Sequence, residues 1–172
     1  MILSGSLKAD SWFVGGMEMN SLIFECSNMK NGEKFPVEHT GRGRDISPEF
    51  IIQNLSSYAK TLAIILEDIK HPVFKDFTHW LIFNIPAREK IDGDIPGGKI
   101  LSCLGNARQG IGYGLYKYAG PKPPKGRQHL YRFTMYALDS EIDLTGLPTK
   151  KRFMKMAKGH IIQQGSIVGK YE

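Results

Sequence analysis

Cysteine is almost missing from this chain: there are two in 172 residues, Cys26 and Cys103, with no CxxC or other ligand spacing. That sets aside a disulfide framework and a cysteine-built zinc site, and the two read as reduced, partly buried thiols of a cytoplasmic protein. Long apolar runs are missing too. No segment approaches the ~18 uninterrupted apolar residues that a spanning helix needs. The stretch Met1–Gly16 mixes Lys8, Asp10 and Trp12 and lacks the basic start and apolar core of an export signal. There is no repeat and no low-complexity block. The usual catalytic signatures are absent as well: no G-x-S-x-G elbow, no serine or cysteine in a nucleophile setting, and no HExxH or HxH among the five histidines. Gly110–Gly114 (GIGYG) has neither the third glycine nor the strand-before, helix-after context of a dinucleotide fingerprint.

What is present is an ordinary globular composition, 41% apolar and 23% charged, long enough to bury a substantial core in a single domain over residues 1–172. The formal charge of +6 favours anionic partners in general without choosing among phosphates, nucleic acid and acidic membranes.

Short runs rich in β-branched and aromatic residues predict strands at Ser21–Cys26, Thr61–Glu67, Thr78–Ile85, Tyr131–Leu138 and Ser166–Tyr171. The second and third are apolar on both faces and so belong in the middle of a sheet. In the fourth, Tyr131, Phe133, Met135 and Ala137 share one face, opposite Arg132, Thr134 and Tyr136. Helices are few. One is predicted from Leu147 or Pro148 to about Lys158, stopped by Gly159, with Phe153, Met156 and Ala157 inward and Lys151, Lys155 and Lys158 solvated. A short one is expected near Ile91 or around Asn106–Ile111. Pro86–Gly126 holds nine glycines and five prolines. Its tyrosines 113, 116 and 118 argue for an ordered loop region over one end of the sheet rather than disorder.

Three polar residues sit at predicted strand ends. Asp68 closes one central strand, His79 opens the next, and His129 precedes the fourth. If the first two strands are antiparallel neighbours, all three meet at one sheet edge. Imidazole N–H groups donate well to phosphate oxygens, and a nearby carboxylate fixes the ring tautomer. Pro121, Pro123 and Pro124 stiffen the adjoining segment, and Tyr131 adds a hydroxyl.

These residues carry a resemblance. Phe35-Pro36, Thr40-Gly41 and Asp45-Ile46-Ser47-Pro48, then Asp68-Ile69-Lys70-His71-Pro72 on a D-P-D-A-P pattern, then Thr78-His79-Trp80, then Gly120-Pro121-Lys122-Pro123-Pro124-Lys125-Gly126 with His129-Leu130-Tyr131 on G-P-x-P-P-x-G…H-R-Y, and finally Ala137-Leu138-Asp139, Lys158-Gly159-His160 and Val168-Gly169-Lys170-Tyr171 occur in the order of one family. The chain resembles the phosphatidylethanolamine-binding protein family, in particular its prokaryotic, Raf kinase inhibitor-like branch. The resemblance implies an all-β sandwich with a few short peripheral helices and an anion pocket formed by Asp68, His79, Pro121, Pro124, His129 and Tyr131, with Phe77 at its wall. It implies a non-catalytic binding or regulatory protein without cofactor, recognising phosphoethanolamine-like or phospho-residue-like groups, with a phosphoprotein or kinase as the kind of partner. Dimeric bacterial relatives make a homodimer compatible with it.

Departures from the pattern are Ile69 and Lys70, which remove an acid and put a cation near the pocket mouth. Leu130 replaces an arginine, with Arg132 close by, and the tryptophan that usually follows the Ser-Pro pair is absent. The chain ends soon after its last strand, so a further carboxy-terminal helix is not expected. Two other readings compete. One is a hydrolase using Asp68 and His79 as an acid–base pair. The other is a nucleic-acid surface built on Lys122, Lys125, Arg127 and Arg132, for which no recognition motif is present.

Overall fold

The computed structural model describes residues 12–14 and 17–172. The rest of the opening stretch read above for an export signal lies outside the described residues. In chain order the elements are β1 (Trp12–Val14), β2 (Met17–Ser21), β3 (Phe24–Cys26), β4 (Phe50–Ile52), β5 (Thr61–Asp68), β6 (Phe77–Pro86), β7 (Lys90–Ile91), β8 (Ile100–Leu101), β9 (Ala107–Gln109), β10 (His129–Leu138), α1 (Lys150–Ala157) and β11 (Ile161–Tyr171).

Eight strands form one sheet in the order β1-β2-β11-β10-β5-β6-β9-β8, and β3-β4-β7 form a second. Alternation along each strand explains how the two pack. On β5, Leu62, Ile64 and Leu66 join Trp80 and Ile82 of β6 and Phe133, Met135 and Ala137 of β10 in a cluster that also takes Phe24, Phe50, Ile52 and Ile91 from the small sheet. Phe50 meets Phe133 edge-on across the two layers, with ring centroids 5.2 Å apart. Each such side chain taken wholly from water stabilises the fold by about 1.5–3 kcal/mol. The residues between them, Ala63, Ile65, Leu81, Phe83 and Tyr136, face the other way and are covered by Ile142, Leu144, Phe153 and Ala157. The large sheet is therefore buried on both faces, as the apolar runs of β5 and β6 require. The small sheet turns Glu25 and Ile51 to solvent.

The helix starts two or three residues later than predicted, because Thr149 is its cap and its hydroxyl accepts from the Arg152 N–H. Phe153 and Ala157 are buried as expected, whereas Met156 is exposed. The short helix expected near Ile91 or Asn106–Ile111 does not form. Ile91 lies in β7 and Ala107–Gln109 in β9, so the glycine-rich region supplies strands to both sheets as well as loops. Local pattern could not show this, since two- and three-residue strands exist only through their partners. A 3-10 turn occupies Ser102–Leu104. Cys26 is buried, while Cys103 is exposed on that turn rather than half-buried.

No helix among the described residues is long and apolar enough to cross a membrane.

Candidate functional site

The central strands carry the candidate residues to one edge. β10 runs antiparallel to β5 with Tyr131 opposite Asp68, and β5 runs antiparallel to β6 with Asp68 opposite Phe77. The β5–β6 ladder is irregular there. Leu66 pairs with Trp80 and Glu67 with Thr78, so His79 has no partner on β5 and forms a bulge. Bulges re-aim side chains next to functional sites. This one lets His79 and Phe77 line a cavity while Trp80 fills the core.

The cavity, of about 240 Å³, is lined by Asp68, His79, His129 and Tyr131 from the strands, by His71 and Phe77 at the β5–β6 turn, and by Tyr113, Lys122, Pro124 and Arg127 from the loops. Asp68 is 2% exposed. Its Oδ2 accepts from His129 Nδ1–H at 2.6 Å and its Oδ1 from the Lys70 backbone N–H at 3.0 Å. That fixes the His129 tautomer and leaves Nε2 for a ligand. His79 Nδ1–H donates to the Ala119 carbonyl at 3.0 Å, which again leaves Nε2. Burial pushes the His79 pKa below the usual 6.5, against the opposing pull of the Ala119 carbonyl and the Asp68 charge. At neutral pH its Nε2 is therefore a lone-pair acceptor that becomes a donor on protonation. Burial, and then the neighbouring Asp68 carboxylate, raise the Tyr131 phenol well above its ordinary value, so it keeps its proton.

Two close backbone approaches hold the loops in place. Gly120 donates its N–H to Asp45 Oδ1 at 2.7 Å, and a Cβ there would lie 2.0 Å from the His39 carbonyl oxygen. At Gly112 a Cβ would lie 2.7 Å from the carbonyl oxygen of His79. This lets the 111–114 segment lie along the bulge, with the Tyr113 N–H donating to the Thr78 carbonyl at 3.0 Å. Gly110–Gly114, dismissed above as a nucleotide fingerprint, is thus a strap that seats Tyr113 against His79, with ring centroids 5.4 Å apart.

Of the six residues singled out from the sequence, Asp68, His79, Pro124, His129 and Tyr131 line the cavity and Pro121 does not. Pro121 is buried behind the rim, where its carbonyl accepts from the Gly41 N–H. Phe77 is at the wall as expected. Asp68 is bonded to His129, so the Asp68–His79 acid–base pair is not formed as such. Lys70 is outside the lining and serves Asp68 through its backbone. Arg132 alternates with Tyr131 and sits on the opposite face, paired with Glu67 at 3.2 Å, so it neither replaces the arginine lost at Leu130 nor joins Lys122 and Arg127. Glu67, adjacent to Asp68 but facing α1, also pairs with Lys150.

His71, Tyr113, Lys122 and Arg127 were not singled out as pocket residues. A histidine on the alanine of the D-P-D-A-P pattern was the one signal available for His71. Among the described residues, no three His, Cys, Asp or Glu side chains are grouped as metal ligands.

Fold and site together define an all-β sandwich with a histidine-lined cavity at one end of its larger sheet. The profile of the family described as phosphatidylethanolamine-binding protein matches residues 25–172. A UPF0098 protein of Pyrococcus horikoshii is 36% identical over 161 residues, covering 92% of this chain and 81% of the relative. One from Aquifex aeolicus is 34% identical over 152 residues, covering 84% and 85%. The crystal structure of a phosphatidylethanolamine-binding protein homologue from Chlamydia trachomatis superposes with a TM-score of 0.76 at 27% identity, covering 89% of this chain and 98% of that one. E. coli YbcL, described as a new member of the mammalian family, shares the fold, with a TM-score of 0.77 at 24% identity over 89% and 99% of the two chains. The chain belongs to the phosphatidylethanolamine-binding protein family.

Proposed function

We propose that the chain is a non-catalytic binding protein whose cavity takes the phosphoryl group of a phosphate-bearing head group or phospho-residue. The observation that carries this reading is the convergence of His79 and His129, each with Nδ1 committed to a protein acceptor and Nε2 left over, beside the Tyr131 hydroxyl and the rim cations Lys122 and Arg127. Hydrogen bonds to an ionised oxygen are among the stronger ones. A cavity of about 240 Å³ admits a phosphoryl group with a short substituent and leaves a larger body outside. The hydrolase reading has less to rest on. None of the lining residues is serine, threonine or cysteine, and the carboxylate is already bonded to an imidazole.

The test is thermal denaturation with inorganic phosphate, phosphoethanolamine and phosphotyrosine. A ligand that binds only the folded state at a hundredfold excess over its Kd adds about 2.7 kcal/mol. At least one ligand is expected to raise Tm, and a His79→Ala, His129→Ala double variant that retains its circular dichroism spectrum is expected to lose the shift. A flat response to all three ligands would overturn the proposal. Release of phosphate from phosphoethanolamine that is lost in Asp68→Asn would favour the hydrolase.

A further inference from the structure

His71 differs from the other two imidazoles in which nitrogen it commits. Its Nδ1 accepts the backbone N–H of Val73 at 3.3 Å and of Phe74 at 3.1 Å. A nitrogen that accepts must carry a lone pair, so the hydrogen of the neutral ring is on Nε2. Protonation would add a hydrogen at Nδ1 without removing that one, so Nε2 bears a hydrogen in both protonation states. The ring packs in a three-ring cluster with Phe74 at 5.3 Å and Phe77 at 4.9 Å between centroids, and lies edge-on to His129 at 6.4 Å. With Nδ1 turned to the 73–74 turn, Nε2–H is the donor left to the cavity.

We propose that His71 is a specificity-determining residue of the pocket, the imidazole whose Nε2–H donates to a bound tetrahedral oxyanion without a change of tautomer, whereas His79 and His129 keep their ring hydrogens on Nδ1. The inference rests on the proposed anion-binding reading of the same cavity.

The consequence is a particular pH profile. Facing the anion are His79 from β6, His129, Tyr131 and the Asp68 carboxylate from β10 and β5, and Lys122 and Arg127 from the loop. As pH falls, His79 turns from an acceptor into a donor and affinity rises. As pH rises, a pocket containing His71 retains one imidazole donor and its affinity levels off. A pocket without that donor leans more heavily on the proton taken up at His79, so its affinity falls more steeply with pH, by at most about tenfold per unit. The rim cations add attraction to both proteins alike.

Inorganic sulfate is the suitable probe, because its own charge is constant between pH 5.5 and 8.5 and any pH dependence belongs to the protein. Isothermal titration is run on the intact chain, on His71→Phe, which keeps the aromatic packing without a donor, and on His71→Gln, which restores an N–H that does not titrate. Between pH 7 and 8.5 the intact chain and His71→Gln are expected to show a shallow slope. His71→Phe is expected to show a clearly steeper fall, of at most about tenfold per pH unit, with affinity reduced about tenfold at pH 8 and less at pH 5.5. Parallel profiles for the intact chain and His71→Phe, or a uniform loss at every pH, would overturn the role of His71 and leave the anion pocket standing. No sulfate binding by the intact chain at any pH, with no response to phosphate or phosphoethanolamine either, would sink the pocket reading and this inference together.

Discussion

At the scale of single residues, geometry separates two of the histidine–carboxylate pairs by consequence. His129 and Asp68 are buried and bonded at 2.6 Å, whereas His160 and Asp139, at 2.9 Å, are both about half exposed. Removing one partner of a buried pair strands the other, and His129→Ala is expected to destabilise the fold by about 3 kcal/mol. His160→Ala should cost less than about 1 kcal/mol. Urea unfolding of the two variants at pH 7 checks the contrast. His79 adds a pH effect of defined sign. Its folded-state pKa is lowered, so the unfolded chain binds a proton that the folded chain declines. Stability is therefore full above pH 6.5 and decreases as pH falls from there to the lowered folded pKa, below which the loss is constant. His79→Gln should flatten that part of the stability curve in a buffer without phosphate or sulfate.

At the scale of elements, the legibility of the sequence followed periodicity. Strands β5, β6 and β10 were readable because each is eight to ten residues long with its own apolar pattern. The placement of Tyr131, Phe133, Met135 and Ala137 on one face followed from that pattern, and the core confirms it. Half of β11 escaped notice because Gln163, Gln164 and Gly165 have no strand-like composition, yet β10 pairs with it from His129 to Leu138. For the site, the residues at the ends of long strands and the rim proline Pro124 were legible, whereas His71, Tyr113, Lys122 and Arg127 were not singled out as pocket residues. The position of Tyr113 depends on a strap crossing the bulge, and that of His71 on a turn whose backbone it accepts from. Neither can be read from spacing. The Gly120 approach gives a test of how the rim is held. Gly120→Ala would drive a Cβ into the His39 carbonyl and is expected to cost about 2–3 kcal/mol by chemical denaturation.

At the scale of the whole molecule, one cluster of buried side chains spans both sheets and a second lies between the large sheet and α1, so β5, β6 and β10 contribute to both. Neither cluster can be lost while those strands stay ordered. We therefore expect one cooperative unfolding transition, with equal calorimetric and van't Hoff enthalpies of about 0.7 kcal/mol per residue near 60 °C. Two resolved transitions would count against a single folding unit. The net charge of +6 acts at longer range. It should speed anion association at low ionic strength and lose most of that effect once the Debye length falls below about 10 Å. A stopped-flow salt series would show this as a drop in on-rate with little change in off-rate.

The ladder between β5 and β6 steps over residue 79, pairing Thr78 and Trp80 with consecutive partners. Excising that one position would leave this end of the ladder regular, with Trp80 still in the core and Thr78 still on the far side beside Thr149 and Met154. Such a deletion variant should assemble normally and lose the thermal response to phosphate compounds proposed above. Selection can therefore retune what is held at position 79 without unpicking the scaffold around it.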